Sequence, residues 1–483
     1  MKSNRRTHYA AGMALPVFIL IGCFSAPCGL WAQTATTAGS PPPAADPKDL
    51  APATAPASAP DHITLWNEDD AQNQSWMVHG QNTDIVQGNA PFHSPYENEE
   101  SNSLPASANI RETVSFDLFF GAHLWPGGEI YFNPEAYQGY GLGNAHGIAS
   151  FTNGEAFKAG TDFGNVIIPR LFYRQTFGFG GEQEQLGSDE LQLAQKVDVS
   201  RLTLTVGKMS FSDLFDNNAY SHDQRTQFMN WTLVDSGGLD SPQDADGYTN
   251  GIALDYNQKN WALIWGHYMV TKYLNTHALD YDMTKAWEEM LEFDQKLSIH
   301  DHPGNIRLIS WLMSAHIGSY WETINNPGAN MDITQTAQYR KQYGFALSAD
   351  QEITKDIGIF TRISWGQPND DDFMFTDMSE SLAGGGQLKG TAWSRPDDVI
   401  GLADTVGALS QAQRTYYRDG GLGSVIGDGT LDYAPENVTE TYYCAQLNEH
   451  VHLTGDFQLV YNPGFNSARG PVPVFSLRLH TEF

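Results

Sequence analysis

Side chains that could bind a polar solute are concentrated in residues 207–233, which read GKMSFSDLFDNNAYSHDQRTQFMNWTL. The stretch combines carboxylates, amides, an arginine and a tryptophan in the set Asp213, Asp216, Asn217, His222, Asp223, Arg225, Gln227, Asn230 and Trp231. A sugar needs this combination, because an aromatic face stacks on its C–H surface while Arg, Asp and Asn form paired hydrogen bonds with neighbouring hydroxyls. The same residues could equally form a structural loop held by its own hydrogen bonds, so both interpretations stay open.

Residue groups that could support catalysis or bind a metal are weak elsewhere in the chain. His300-Asp301-His302 stands in a short turn before Pro303, where a metal clip is uncommon. Asp370-Asp371-Asp372 could bind calcium, although such a run of charges is more often a solvated surface. Gly420-Gly421-Leu422-Gly423 does not fit the dinucleotide-binding pattern. We therefore expect a protein that is not an enzyme, with no metal and no cofactor.

The elements that must position the polar stretch read as β-strands with one apolar and one polar face. In residues 474–483, the side chains of Phe475, Leu477 and Leu479 share one face, while Arg478, His480 and Glu482 share the other. Residues 111–124 alternate in the same way. After the amino-terminal segment we find no run of 18 apolar residues, so no transmembrane helix is expected. Strands of this kind predict a barrel whose apolar face meets lipid and whose polar face lines a watery lumen.

Strands separated by short turns alternate with long loops from about residue 166 onward. The predicted strands are 75–86, 111–124, 129–133, one from 166, 190–198, 201–209, 249–257, 260–270, 287–299, 305–318, 338–350, 356–367, 386–393, 398–407, 438–449, 451–461 and 474–483. A Gly-rich loop is expected over 134–164, and a turn at Pro396-Asp397-Asp398. The pattern predicts an all-β, transmembrane antiparallel β-barrel of about 16 strands, with short periplasmic turns and long extracellular loops. The count of 17 is odd, and we expect the error to lie before residue 165.

Charge and the amino-terminal sequence indicate the compartment. With 27 Lys and Arg against 57 Asp and Glu, the net charge of -30 argues against a nucleic-acid partner. It is typical of an acidic, solvated outer surface, and it would also allow divalent-cation bridging to lipopolysaccharide. Residues 1–32 read as a signal peptide, with lipidation at Cys23 as the rival interpretation. Residues 33–72 read as a Pro/Ala-rich linker and 73–483 as the barrel, so the cell outer membrane is the expected location.

The stretch 207–233 resembles the signature of the carbohydrate-selective porin family (OprB-like) of Gram-negative outer membranes. Blocks at 129–135, 153–156, 395–401, 420–429 and 440–480 are similar to the family in the same order. The resemblance covers about residues 73–483. It implies a 16-stranded barrel that passes small sugars such as glucose down their gradient. The expected partners are a mono- or disaccharide, outer-membrane lipid and lipopolysaccharide, with the chain acting as a monomer or a homotrimer.

We therefore predict a passive channel whose constriction is lined by inward side chains and infolded loops. The candidate lining residues are Asn133, Glu135, Glu155, Arg170, Arg174, Asp223, Arg225 and Trp231. Arg170 and Arg174 share one strand face, which should point to the lumen, since Arg on the lipid side at mid-bilayer costs about 2–4 kcal/mol. Two alternatives stay open: a general diffusion porin, and a surface adhesin or polysaccharide-export component built on the same barrel.

Overall fold

The computed structural model describes residues 73–96, 102–156, 160–373 and 377–483. The signal-peptide and linker predictions fall on 1–72 and lie outside the described residues. The strands are β1 (Trp76–Asn89), β2 (Asn109–Trp125), β3 (Gly128–Gly139), β4 (Thr161–Gly178), β5 (Gln183–Leu186), β6 (Gln195–Asp198), β7 (Arg201–Met209), β8 (Thr249–Asn257), β9 (Trp261–Tyr268), β10 (Trp287–Ile299), β11 (His302–Ile317), β12 (Gln338–Thr354), β13 (Ile357–Gly366), β14 (Glu380–Gly390), β15 (Arg395–Ala408), β16 (Glu436–Asn448), β17 (Val451–Tyr461) and β18 (Val472–Glu482).

Sixteen of the described strands form a closed antiparallel barrel, in which each strand pairs with its neighbour along the chain. The barrel closes where β1 pairs with β18, with Ile85 opposite Arg478. The remaining two strands, β5 and β6, form a separate two-stranded sheet. The predicted fold class is therefore confirmed.

Alternation along β18 shows which face of the barrel wall meets lipid. The side chains of Phe475 and Leu477 are 56% and 53% exposed, while Arg478 and His480 are 0% and 1% exposed. Apolar residues thus cover the outside and charged residues lie inside, the reverse of a soluble protein. This inversion is the property expected of a barrel in a bilayer.

Connections differ strongly between the two ends of the barrel. One end carries short turns, at 126–127, 258–260, 300–301, 355–356, 391–394 and 449–450. The other end carries long loops, at 90–108, 140–160, 210–248, 269–286, 318–337, 367–379, 409–435 and 462–471. Short turns face the periplasm in outer-membrane barrels, so the long loops face outward. The loops contain α1 (Trp231–Val234), α2 (Tyr320–Asn325) and α3 (Gln411–Arg418), and no helix in the described ranges is long and apolar enough to cross a bilayer.

The prediction of a barrel strand over 190–198 is wrong. The short hairpin β5–β6 occupies this region, and β4 pairs directly with β7, with Gly178 opposite Arg201. The expectation that the odd count arose before residue 165 is wrong as well, because the extra strand came from here. Apolar side chains stand at odd-numbered positions here, because they are buried inside this connection and the lumen; they are Leu191, Leu193 and Val197. Such burial produces the same alternation of apolar and polar residues as a lipid-facing strand.

Two loop boundaries also differ from the sequence expectation. Strand β3 continues to Gly139, so the loop that was expected from Pro134 begins only after Gly139. Proline is tolerated there because the register with β4 shifts between Asn133 and Glu135, as at a bulge. The turn predicted at 396–398 lies instead at 391–394, and Pro396 falls on the second residue of β15 near the barrel end.

Candidate functional site

Residues 210–248, between β7 and β8, fold into the lumen and are called the constriction loop below. Its first turn is closed locally, because the Ser210 backbone N–H donates to Asp213 at 3.0 Å. The loop then turns back at α1, where the Asn230 side chain accepts from the Thr232 backbone N–H at 3.2 Å. Polar caps of this kind satisfy backbone groups that no strand partner reaches.

Inward-facing side chains from distant strands fasten the constriction loop. Arg478 of β18 donates to the carbonyl oxygens of Gln224 and Gln227 at 2.7 and 2.9 Å. The carboxylate of Glu440 on β16 accepts from the backbone N–H groups of Met229 and Asn230 at 2.6 and 2.9 Å. The loop therefore crosses the lumen and has a structural role, since the barrel wall on its far side holds it in addition to its own hydrogen bonds. That role leaves a binding role open.

Arg225, from this loop, sits among three buried carboxylates, the carboxylate cradle of Asp117, Glu135 and Glu155. The nitrogen–oxygen distances are 3.0 Å to Asp117, 3.6 Å to Glu135 and 3.2 Å to Glu155. Burial acts to lower the pKa of Arg225, but the charges of these carboxylates outweigh it and hold the pKa well above its ordinary value. The guanidinium is therefore a fixed positive charge in the lumen.

A second guanidinium, that of Arg170 on β4, lies on the opposite part of the same network. It donates to both carboxylate oxygens of Asp213, with Nε at 3.0 and 2.9 Å, and Nη1 donates to Asn133 at 3.1 Å. Its Cζ lies 5.2 Å from the centre of the Tyr248 ring. The Tyr248 hydroxyl donates to Glu135 at 3.2 Å, which joins the two arginine sites.

Between these groups lies a cavity with about 590 Å³ of empty space, part of it open to solvent. Both arginines line it, together with Trp231 and Tyr248. Its remaining wall is formed by Ser210, Ser212, Phe215, Asp216, His222, Gln224, Val234, Asp235, Gln243, Asp246 and Gly247. Nearly all of the lining comes from the constriction loop, with fixed charges and the aromatic rings of Phe215, Trp231 and Tyr248 around a polar space.

Most of the sequence-derived candidates meet here. Asn133, Glu135, Glu155, Arg170 and Arg225 form one hydrogen-bonded and ion-paired network, and Trp231 lines the adjacent cavity.

Two candidates have other surroundings. Asp223 accepts from the Arg225 backbone N–H at 2.9 Å and from the Thr226 hydroxyl at 2.5 Å, so it shapes its own loop. Arg174 lies apart toward the short-turn end, where its Nη1 donates to the Leu191 carbonyl oxygen at 2.8 Å.

Sequence reasoning missed Asp117 and Tyr248. Asp117 is the only acidic residue on the inner face of β2 between 114 and 124, and a charge in a strand is a signal for a lumen-facing position. Tyr248 stands next to the start of β8 and carried no comparable signal.

A model of the family described as carbohydrate-selective porin, OprB family, matches residues 101–483. The chain belongs to this carbohydrate-selective porin family. Membership agrees with the closed barrel and with the polar lumen, and it makes the molecule an outer-membrane channel. No curated protein matches the chain at a significant level.

Solved structures of outer-membrane channels resemble the barrel. The high-pH structure of Pseudomonas putida OprB is 15% identical with a TM-score of 0.64, covering 85% of this chain and 94% of that one. The low-pH structure of the same protein is 12% identical with a TM-score of 0.44, covering 85% and 93%. The outer membrane channel DcaP of Acinetobacter baumannii is 8% identical with a TM-score of 0.48, covering 85% and 98%. The first of these likenesses shows a common fold.

Proposed function

We propose that this family member is a passive, sugar-selective channel that lets small sugars such as glucose diffuse across the outer membrane. The observation that carries the proposal is the cavity shared by Arg170, Arg225, Trp231 and Tyr248. Two fixed guanidinium groups and several aromatic rings around one polar space match the needs of a hydroxyl-rich ring.

The pairing of each arginine supports weak and reversible binding. Arg170 is already bonded to Asp213, and Arg225 to the carboxylate cradle. A solute can therefore form hydrogen bonds with only some of the N–H groups of each guanidinium. A channel needs a site that a solute can enter and also leave.

Liposome swelling with the purified channel tests the proposal. The panel contains glucose, other monosaccharides, disaccharides, and neutral amino acids of matching size. We expect monosaccharides to pass faster than the amino acids, and glucose to reduce ion conductance in planar bilayers as it occupies the cavity. The double variant Arg225→Ala/Trp231→Ala should lose this glucose block. Arg340→Ala is the matched control, because Arg340 pairs with Glu322 away from the cavity.

Other outcomes would replace the proposal. Equal passage of sugars and size-matched amino acids without glucose block would identify a general diffusion porin. Normal sugar uptake in a deletion strain, with loss of attachment or polymer secretion, would identify an adhesin or export component.

A further inference from the structure

Four carboxylates, those of Asp240 and three neighbours, are buried toward the long-loop end of the barrel and are called the acidic cluster. Asp240 belongs to the constriction loop, Glu288 to β10, and Asp371 and Asp372 to the loop 367–379. Their residues are 5%, 0%, 4% and 4% exposed, respectively. The expectation that the run Asp370-Asp371-Asp372 is a solvated surface is therefore wrong for its last two members.

The charges that act on Asp371 and Asp372 are negative. Burial and the neighbouring carboxylates raise the pKa of Asp371 and of Asp372 well above the ordinary value. The neighbours acting on Asp372 are Asp240, Asp377 and Asp371, and the neighbour acting on Glu288 is Asp240. Burying several like charges together is costly unless protons or a cation neutralise them.

Buried oxygen atoms without hydrogen-bond donors lie in and beside the acidic cluster. No described residue donates a hydrogen bond to either carboxylate oxygen of Glu288 or to Oε1 of Gln342, which is 1% exposed. Gln342 Nε2 donates to Asp240 at 3.2 Å, so the amide lies against the acidic cluster. Glu288 and Gln342 both stand opposite Met313 on β11, one from β10 and one from β12. They are therefore two strand spacings apart, about 10 Å between Cα atoms, close enough for long side chains to meet.

We propose that a divalent cation of the Ca²⁺ type binds between Asp240, Glu288 and the Oε1 atom of Gln342. Ca²⁺ takes carboxylate and amide oxygens and fills its remaining positions with water. No three His, Cys, Asp or Glu side chains in the described ranges form a metal-binding group as they stand. The site accordingly has two carboxylate ligands and one amide ligand, with Asp371 and Asp372 adding negative charge around it.

The bound cation would fasten three parts of the channel at one point. Asp240 belongs to the constriction loop, and Glu288 and Gln342 belong to the barrel wall. The loop 367–379 is attached to the same point, because its Phe373 backbone N–H donates to Asp240 at 2.8 Å. Removing the cation should loosen the constriction loop without unfolding the barrel. This role is independent of which solute the channel passes.

Melting of the full-length channel, folded in neutral detergent without lipopolysaccharide, tests the site. We expect Ca²⁺ to raise the melting temperature to a plateau that Na⁺ at equal ionic strength does not reach. Glu288→Gln should weaken the affinity for Ca²⁺ at least tenfold. In EDTA this variant should melt at a higher temperature than the unchanged protein, because one buried charge is gone. Glu289→Gln is the matched control, since Glu289 is the next residue, about half exposed, and pairs with His267.

If Glu288→Gln does not assemble, a direct measurement of cation binding to the unaltered channel still tests the proposal. The luminescence of Tb³⁺ bound to the unaltered channel should saturate, and Ca²⁺ should displace the bound Tb³⁺. Gln342→Leu should weaken the affinity for Tb³⁺ by at least tenfold. No plateau with Ca²⁺ would overturn the site and leave the carboxylates protonated. Equal loss of affinity in Glu289→Gln would also overturn it, because binding would then be a property of the acidic surface.

Discussion

Arg362 of β13 holds Asp216 of the constriction loop with a buried ion pair. Its Nε lies 3.1 Å from Oδ1 and 3.0 Å from Oδ2 of Asp216, and the two side chains are 1% and 2% exposed. The same guanidinium donates to the Leu233 carbonyl oxygen at 2.6 Å. One side chain on the barrel wall therefore fixes two distant points of the loop that forms the cavity.

Removing this arginine should destabilise the channel more than removing an arginine whose partner carboxylate is exposed. Arg362→Met leaves Asp216 buried without its partner, which we expect to cost about 3–5 kcal/mol in the free energy of unfolding. Arg340→Met is the control, because its partner Glu322 is 53% exposed and such pairs contribute about 0–1 kcal/mol. Unfolding in guanidinium chloride measures both losses. The double variant Arg362→Met/Asp216→Asn should recover part of the loss, and equal losses in Arg362→Met and Arg340→Met would contradict the buried-pair argument.

The charge of the cavity should change near neutral pH because of Asp235. Burial, followed by the charge of Asp216, raises the pKa of Asp235 to about 7. The carboxyl is therefore neutral below pH 7 and negative above it. His222 lines the same cavity, but burial and the charge of Arg362 lower its pKa, whereas the pKa of Asp235 is raised into this range. We expect the preference for cations over anions to rise as the pH passes from about 6 to 8.

Reversal potentials in planar bilayers measure this step, and Asp235→Asn should remove it. Asp282→Asn is the control, since hydrogen bonds from Thr284 and Lys285 lower the pKa of Asp282 and keep it charged over the whole range. The sign for stability follows from the raised pKa: the stabilising contribution is complete below the ordinary value of 3.8 and is lost as the pH rises through about 7. A selectivity step that persists in Asp235→Asn would assign the titration to another group.

The barrel could be predicted from the sequence because one physical rule governs every spanning strand. Side chains such as Leu477 and Arg478 alternate between lipid and lumen, and a period of two records that alternation directly. The same rule misled the strand count at Leu191 and Leu193, since burial inside the lumen also favours apolar side chains at every second position. Periodicity reports that a face is buried and does not report what covers it.

The candidate site could be predicted only in part, for a reason of topology. Arg225 lies in the stretch that composition singled out, but the cradle comes from Asp117, Glu135 and Glu155 in β2, in β3 and after β3. No spacing in the sequence brings these residues together, because their proximity depends on where the constriction loop lands in the lumen. Glu135 and Glu155 were reached through the family resemblance, whereas Asp117 was not.

The connection between β4 and β7, residues 179–200, is a long segment on the end that otherwise carries short turns. It enters the lumen, where the Leu193 backbone N–H donates to the Tyr131 hydroxyl at 3.1 Å and Gln195 donates to Glu129. Leu193 is 0% exposed and packs among lumen-facing residues, including Phe172 and Met209. The segment therefore occupies space at the periplasmic mouth.

Replacing residues 180–199 by an Asn-Gly turn should widen that mouth and leave the barrel closed. Closure should survive because Gly178 and Arg201 already pair directly across β4 and β7, and a short turn can join such partners. We expect a larger single-channel conductance and faster disaccharide swelling than in the unaltered channel. Leu193→Ala should lower the free energy of unfolding by about 2–5 kcal/mol, as for other buried leucines. Leu186→Ala is the matched control, since Leu186 is only half-buried in the hairpin and should cost less. An unchanged conductance in the shortened channel, with the barrel intact, would show that the segment lies beside the solute path, because emptying that space would then have no effect on flow.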